Sequence, residues 1–445
     1  MASDLLSIGA SGARAARGAL DVTAQNIANA SSDGYVRRSA TMEEVSAAGG
    51  QLRLGDISLS GVRIAGITRN ADMFRQAEVR RTNADASRAT AELSGLQNIE
   101  SAVEQAGIFP AIVEFEGALR QLESEPVDPS LRAAVMASAE TMANKFNIAA
   151  NSLDSVVAGT QFDARAAVDE ANVLSAELAR INVRLARAGA GSSDRASLLD
   201  QRDLMLERLS GIADISTTFG TDGGVSVRVG GAAGPVLVSG GTASTLGMTV
   251  AADGTLAFDV AGAAVSLSGG SLAGRALVLR EVVDVRTRLD TLVSDIATLA
   301  NGSQAAGAAL DGSAGQPLFT GTTAGTLRIG FSDGALIATA PLGSPAGSRD
   351  TTTLRALRSA LETGGTAEQM NGILFDISSR VAGHEITTEA LETIASSARI
   401  SLEQQAGVDL DTEAANLIRY QQAFQASGRA MQAATEIFDT LIAIG

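Results

Sequence analysis

The C-terminal segment has an apolar side chain at every seventh position. Such spacing, with further apolar residues three positions later, is the a/d pattern of a coiled-coil seam, and here it extends over about four heptads. An ordinary buried helix shows the same periodicity, so the pattern alone predicts a long helix that needs a partner surface. The positions are Leu410, Leu417, Phe424, Met431 and Phe438, with Tyr420, Ala434 and Leu441 three residues after three of them.

The N-terminal segment is predicted to supply a partner helix. The first and last hundred residues contain no proline, and because proline costs about 3 kcal/mol inside a helix, both ends have room for long helices. Residues 3–30 carry a weak apolar stripe in which Gly9 and Gly12 permit close approach, and Ser31 to Gly34 form a helix stop. Since a lone amphipathic helix is marginally stable in water, we expect the two terminal helices to pack together.

The interior is predicted to be helical apart from one β region. Glycine is dense between residues 211 and 274, where Val225, Val227 and Val229 alternate with polar side chains and Asp253-Gly254 supplies a hairpin turn. A second hairpin is expected near residues 327–337, turning at Asp333-Gly334. Helices are expected at 71–105, 131–188, 194–209, 277–300, 352–361 and 367–406, with interruptions near Gly159 and Gly383.

These elements predict a mainly α fold with an inserted small β domain. The terminal helices should pair as a coiled coil that forms an axial domain from residues 1–40 and 407–445. Residues 41–210 and 275–406 are expected to form a long, rod-like helical bundle domain that carries the hairpin near 327–337. Residues 211–274 should form the inserted, β-rich outer domain. The helical domain is then an insertion between the two halves of the axial domain, and the β domain is an insertion in a loop of the helical domain.

Composition excludes several classes of partner and site. The formal net charge of -16 disfavours nucleic acid and anionic membrane surfaces. No run of about 18 uninterrupted apolar residues and no cleavable secretory signal is visible. The chain contains no cysteine and a single histidine, His384, so the usual zinc sites cannot be assembled. We therefore expect no metal and no cofactor.

The charged clusters do not indicate catalysis either. The alternating Asp409, Asp411 and Glu413 lack the glycine and the glutamate that a calcium loop needs, and negative charge at a helix start is the better interpretation. Asp200 and Asp203 stand beside arginines on a predicted helix, where solvated ion pairs are expected. Neither a nucleophile elbow nor a phosphate-binding loop occurs. The sequence therefore predicts no catalytic residues and no enzyme.

Four segments carry a resemblance to a known family. Asn26 to Ala30 followed by Gly34-Tyr35 is similar to the N-terminal signature of flagellar rod, hook and hook-associated proteins, and residues 410–427 are similar to the matching C-terminal signature. The sequence of residues 413–417 (Glu-Ala-Ala-Asn-Leu) resembles that of the flagellar hook-associated protein 1 family in particular, and so do the sequences of residues 198–203 and 318–325. The β region carries little of this resemblance.

The resemblance implies a structural subunit of the bacterial flagellum at the hook–filament junction. It implies a protein that leaves the cell unfolded through the flagellar type III export apparatus and polymerises outside by packing its terminal helices. The implied partners are further copies of itself in a ring-like helical assembly, the flagellar hook protein, the second junction protein (hook-associated protein 3) and an export chaperone at the C-terminal helix. The expected assembly residues are Leu5, Ile8, Asn26, Ile27, Asn29, Gly34, Tyr35, Leu410, Asn416, Leu417, Tyr420, Phe424, Met431, Phe438 and Leu441.

Two alternatives stay open at this point. The chain could be another axial protein, such as hook, distal rod or flagellin, although residues 413–417 and the helical interior disfavour hook and rod. It could also be a secreted enzyme with a helical scaffold and a β substrate domain. Only an unrecognised pair of carboxylates could then carry the chemistry.

Overall fold

The computed structural model describes residues 2–46 and 59–444. It is mainly helical with a small β-rich region in the middle, so the predicted fold class is confirmed. Within the described part of the chain, no helix combines the length and the apolar character that crossing a membrane requires. The helices are α1 (Ala2–Ala28), α2 (Met73–Glu104), α3 (Ile108–Ser124), α4 (Pro129–Arg187), α5 (Ser193–Ile212), α6 (Gly270–Ala305), α7 (Thr352–Gly364), α8 (Thr366–Ala406) and α9 (Leu410–Ile444).

The strands are short except for the first two. They are β1 (Arg38–Ser46), β2 (Leu59–Arg69), β3 (Ile215–Phe219), β4 (Val225–Val229), β5 (Val236–Ser239), β6 (Thr242–Ala243), β7 (Leu246–Val250), β8 (Leu256–Val260), β9 (Ala263–Val265), β10 (Gly307–Ala308), β11 (Phe319–Thr320), β12 (Arg328–Ile329) and β13 (Ala340–Pro341). A 3-10 turn at Gly334–Leu336 lies between β12 and β13.

The two ends of the chain meet. Helix α1 packs along α9, and an antiparallel β1–β2 hairpin packs against α1. The sequence did not predict this hairpin, which occupies residues assigned to the start of the helical domain. Register shifts after Thr41 and Glu44 interrupt the alternation of apolar side chains by which a strand is recognised.

Four long helices form the body. Helices α4 and α8 each pack against both α2 and α6, and α3 packs against α4, α7 and α8. The interruptions expected near Gly159 and Gly383 were wrong, because α4 and α8 continue through them. A lone glycine costs about 1 kcal/mol in a helix, which the packing of these long helices offsets. Helix α3 was not predicted from the sequence; Pro110 lies in its first turn, where proline is tolerated.

The inserted β region consists of two small sheets. One has the order β3-β4-β5-β6 and the other the order β7-β8-β9. The three alternating valines of β4 are buried, as predicted, and they join a core with Leu237, Phe258 and one face of α4. The predicted turn at Asp253-Gly254 joins β7 to β8, with Gly254 at a φ of +88°.

The hairpin predicted at 327–337 was wrong in position. Strand β12 pairs with the preceding strand, β11, and not with a following one, so the hairpin spans Phe319 to Ile329. Beyond it, the Asp333 carboxylate accepts a hydrogen bond from the Ala335 N–H at 2.9 Å and caps the 3-10 turn. The buried guanidinium of Arg132 donates hydrogen bonds to the carbonyls of Gly334 and Ile337 at 3.1 and 2.8 Å. These carbonyls therefore bind a side chain and not the backbone of a neighbouring strand.

A close contact between α2 and α6 provides a test of this packing. Gly95 of α2 faces Val278 of α6, and a Cβ atom on Gly95 would overlap both methyl groups of Val278. We expect Gly95→Ala to lower the free energy of unfolding by about 1–3 kcal/mol through overpacking. Gly117→Ala on α3, where a Cβ would meet nothing within 4 Å, should instead be neutral or stabilising by up to about 1 kcal/mol. Urea denaturation followed by circular dichroism measures both, and equal effects would contradict the packing described.

Candidate interaction site at the chain termini

A buried polar junction holds the end of α1. Asn26 lies in the last turns of α1 and is 1% exposed. Its side-chain N–H₂ donates to the Arg38 carbonyl at 2.8 Å and to the Glu413 carboxylate at 3.1 Å. Its side-chain oxygen accepts from the Arg38 N–H at 3.0 Å and from the Tyr35 hydroxyl at 2.9 Å. All four hydrogen-bonding positions of the amide are therefore used, which fixes α1 against the start of β1.

Glu413 brings the other end of the chain into the same junction. It lies in the first turn of α9, is 1% exposed, and accepts a hydrogen bond from the Arg37 guanidinium at 2.7 Å. The interpretation of Glu413 as a charge that suits a helix start was therefore incomplete, because its carboxylate binds two partners from the N-terminal segment. Asp409 does take the helix-start role: N–H groups of Thr412 and Asp411 donate to it, and the first of these lowers the pKa of the Asp409 carboxyl most.

Helix α5 adds two carboxylates beneath the junction. Asp200 accepts from Arg38 and from Arg69, both at 2.8 Å. Asp203 accepts from Arg69 and Gln76, both at 2.9 Å. The prediction of solvated ion pairs here was wrong, because strands and helices from other parts of the chain cover both carboxylates. Burial raises the pKa of the Asp200 carboxyl, and the Arg69 and Arg38 charges act in the opposite direction.

Backbone hydrogen bonds connect the junction to the end of α8. The Arg37 N–H donates to the Ala406 carbonyl at 2.9 Å. The Asn70 side chain, directly after β2, donates to the Gln405 carbonyl at 2.6 Å. The junction residues, which are Asn26, Tyr35, Arg37, Arg38, Arg69, Asp200, Asp203 and Glu413, therefore tie α1, the β1–β2 hairpin, α5 and the α8–α9 connection together.

The other predicted N-terminal residues have local roles. Asn29 donates to the Gln25 carbonyl at 2.8 Å and takes no part in the junction. Gly34 has a φ of +73°, a backbone conformation that favours glycine, and lies close to Leu204. The Arg38 guanidinium lies 4.9 Å from the centroid of the Tyr35 ring, and burial raises the pKa of the Tyr35 hydroxyl. Ile27 is half-buried.

Small residues set the contact between α1 and α9. A Cβ atom on Gly9 would lie 2.7 Å from Met431 Cγ, and one on Gly12 would lie 2.8 Å from the Ser427 hydroxyl. The most buried positions of α9 are Glu413 and Ala434, three residues after the heptad positions 410 and 431. The helix is therefore rotated so that the second position of each heptad faces α1 most directly.

This rotation leaves large apolar side chains uncovered. Phe424 is 42% and Phe438 51% exposed, whereas Leu417, Met431, Tyr420 and Asn416 are half-buried. Leu5 and Ile8 of α1 are exposed as well, and so is Leu410. The side chain of Leu441 lies outside the described residues. The predicted assembly residues thus divide into buried junction residues, seam residues and an exposed apolar group.

Comparison with known proteins gives a family for this architecture. Residues 93–319 match the profile of the flagellar hook-associated protein FlgK helical domain, which is more than half of the 445 residues. The chain belongs to the flagellar hook-associated protein FlgK family. Its ends match two further profiles: residues 6–35 that of the flagella basal body rod protein, and residues 403–444 that of the flagellar basal body rod FlgEFG protein C-terminal region.

The chain is also similar to individual proteins. The flagellar hook-associated protein 1 of Escherichia coli is 28% identical over 334 residues, which cover 71% of this chain and 60% of that protein. The protein of the same name from Bacillus subtilis is 26% identical, over 47% of this chain and 43% of that protein. A solved structure of the hook junction protein FlgK from Burkholderia pseudomallei is 25% identical with a TM-score of 0.49, over 54% of this chain and 46% of that one.

The family assignment also bears on the class of protein. The matched relatives are flagellar structural proteins, so the prediction that this chain is not an enzyme is confirmed. The matched segments span about 43 to 60% of the length of the first two relatives.

Two asparagines of the same motif test the junction. We expect Asn26→Ala to destabilise the terminal helices by about 2–4 kcal/mol, because it leaves the Tyr35 hydroxyl and the Arg38 backbone without buried partners. Asn29→Ala, which removes only a local helix-end bond, should cost less than about 1 kcal/mol. Amide hydrogen exchange across α1 and the start of α9 measures the difference. Equal protection in the two variants would contradict the role assigned to Asn26.

Proposed function

We propose that this protein is the structural subunit of the hook–filament junction of the bacterial flagellum, and that it polymerises by packing its terminal helices against those of neighbouring copies. The observation that carries the proposal is the apolar surface that remains after α1 and α9 have paired. Leu410, Phe424 and Phe438 follow at intervals of 14 residues and so lie along one face of α9. Leu5, Leu6 and Ile8 are exposed at the start of α1.

Burial of this surface would drive assembly. Apolar area removed from water contributes about 25 cal/mol per Å², so several half-exposed phenylalanine and leucine side chains per copy supply a substantial gain. Large exposed apolar side chains that recur along one helix face of an acidic protein indicate an interaction surface. The neighbouring copy offers the same rod of two helices, and repeated lateral packing of such rods would build a ring-like helical tube.

The polar junction supports this proposal because it fixes the rod to the body. Asn26, Arg37 and Glu413 hold the two terminal helices at one position relative to α5 and α8. Every copy would therefore present its rod at the same angle, which a regular tube requires. Helical contacts do not close by themselves, so growth must be limited by different partners on either side. We assign these roles to the hook protein and to the second junction protein, hook-associated protein 3.

Export completes the proposal. The protein would leave the cell unfolded through the flagellar type III export apparatus and act outside the cell. The same apolar face of α9 would need cover before export, and an export chaperone bound to the C-terminal helix would provide it. The absence of cysteine is compatible with passage between compartments of different redox state.

Deletion of the gene tests the proposed location. We expect complete hooks without filaments, visible by electron microscopy, and flagellin monomers in the medium. Restoration of filaments by the wild-type gene is the control for polar effects. Normal filaments in the deletion strain would refute the junction role, and absent hooks would indicate a rod or hook subunit instead.

A pair of substitutions on α9 tests the mode of assembly. We expect Phe424→Glu to abolish filament attachment, because it puts a charge into the face that neighbouring copies cover, while the helix content of the purified protein stays unchanged. The neighbouring Gln425→Glu adds the same charge at an exposed polar position and should leave attachment intact. Filaments on both variants would contradict packing through this face.

A further inference from the structure

Two helices of the body carry apolar side chains on their outer faces. Helices α4 and α8 each pack against α2 and α6, whereas among the described residues they make at most marginal contact with one another. Their outer faces therefore point to different sides of the bundle. Both helices run towards the junction, since Gly191 after α4 pairs with Ile67 of β2 and Ala406 at the end of α8 pairs with Arg37. The two helices are thus parallel.

The outer face of α8 is a nearly uncharged stripe. Phe375 is 70% and Ile386 72% exposed, and Ile400 continues the same line. Positions at offsets of 0, 4, 7, 11, 14, 18, 22 and 25 from Phe375 lie on one face of the helix, and Glu389 is the one charged residue among them. These residues, the α8 stripe, are Phe375, Ser379, Ala382, Ile386, Glu389, Thr393, Ser397 and Ile400.

The outer face of α4 repeats these offsets. Residues at the same offsets from Ile148 lie on one face of α4. They include Phe162, which is 70% exposed, and the last of them is Val173. A groove of about 550 Å³ lies beside the first half of this line, between α2 and α4, and Ile148, Ser155 and Gly159 line it. No heavy atom lies within 4 Å of where a Cβ atom on Gly159 would be. These residues, the α4 stripe, are Ile148, Ser152, Ser155, Gly159, Phe162, Ala166, Glu170 and Val173.

The two stripes have equal length, and one large residue of the α8 stripe faces an open position of the α4 stripe. The stripes from Phe375 to Ile400 and from Ile148 to Val173 each extend over 25 residue steps (400 − 375 and 173 − 148), about 37 Å of helix at 1.5 Å per residue. Aligned in parallel from Phe375 and Ile148, the large Ile386 falls opposite Gly159, because both lie 11 residues from the start (386 − 375 and 159 − 148). The knob on α8 therefore meets the open groove on α4.

We propose that the α8 stripe of one copy packs into the groove along the α4 stripe of the next copy, as a lateral contact between bodies in the assembly. The contact is heterologous, so it repeats around a ring or helix and does not stop at a dimer. The occupant is a second copy because its α8 supplies a stripe of the same length and the parallel direction that neighbours in a tube share. The low charge of both stripes lets two chains of net charge -16 approach here. This inference rests on the proposed function and extends it from the terminal rod to the body.

Cysteine cross-linking tests the contact directly, because the natural chain has no cysteine. A gene that encodes Gly159→Cys together with Ile386→Cys is introduced into the deletion strain, and hook–filament particles are treated with a short bismaleimide. We expect a ladder of cross-linked oligomers from the double variant. Either single substitution should give no dimer, because the heterologous contact needs one residue from each stripe. As a matched control, Gly159→Cys with Ile394→Cys moves the second thiol about 80° around α8 and should lose the ladder.

Each other outcome overturns a stated part of the account. Filaments that form on the double variant without a ladder would refute the stripe contact and leave the proposed function standing. Dimers from Ile386→Cys alone would replace the heterologous contact by a two-fold one. Normal filaments in the untransformed deletion strain would refute the proposed function and, with it, the assembly on which the stripe contact depends.

An assembly measurement without cross-linker gives a second test. We expect Ile386→Glu to cause loss of most filaments, whereas Ile394→Glu, on the same helix and at 50% exposure, should leave their number unchanged. Equal numbers of filaments on the two variants would overturn the inference.

Discussion

The hydrogen bonds that Glu413 accepts from Arg37 and Asn26 hold the two ends of the chain together. A buried carboxylate is expensive to remove from water unless charged and polar partners surround it. Here Arg37 supplies the opposite charge and Asn26 supplies a second donor, and Asn26 is held in turn by Tyr35 and by the backbone of Arg38. Because every member of the group has a partner, the group fixes one arrangement of α1 against α9. Residues 29–409, which are 381 residues (409 − 28), are then an insertion between two paired ends.

The junction also explains how two helices that contact each other through small residues obtain a defined register. The α1–α9 contact is built from Gly9, Gly12, Ser427 and Ala434, and small residues of this kind allow many similar placements of one helix along the other. A single polar residue at a seam position specifies register in coiled coils at some expense in stability. Glu413 occupies such a position, and its hydrogen-bond partner in the described part of α1 is Asn26. The exposed phenylalanines of α9 are thereby presented at a fixed height relative to the body.

Sequence reasoning identified the local part of this arrangement and missed the distant part. Asn26 and Tyr35 are nine residues apart and belong to one motif, so the pattern pointed to both. Glu413 lies 387 residues from Asn26, and Asp200 lies 162 residues from Arg38, so nothing in either neighbourhood indicates a buried partner. The heptad period of α9 was right. Which side of it faces α1 was not predictable, because the position of the small residues on the partner helix decides the rotation.

The account depends most directly on the energy that couples Arg37 to Glu413. A double-mutant cycle with Arg37→Met, Glu413→Gln and the combined variant measures it from the free energy of opening of α9, obtained by hydrogen exchange. The account predicts a coupling energy of at least about 1 kcal/mol, since Arg37→Met leaves the buried Glu413 carboxylate without its opposite charge. A coupling energy near zero, with additive single effects, would mean that the ends of the chain are held by the helix seam alone and would contradict the account.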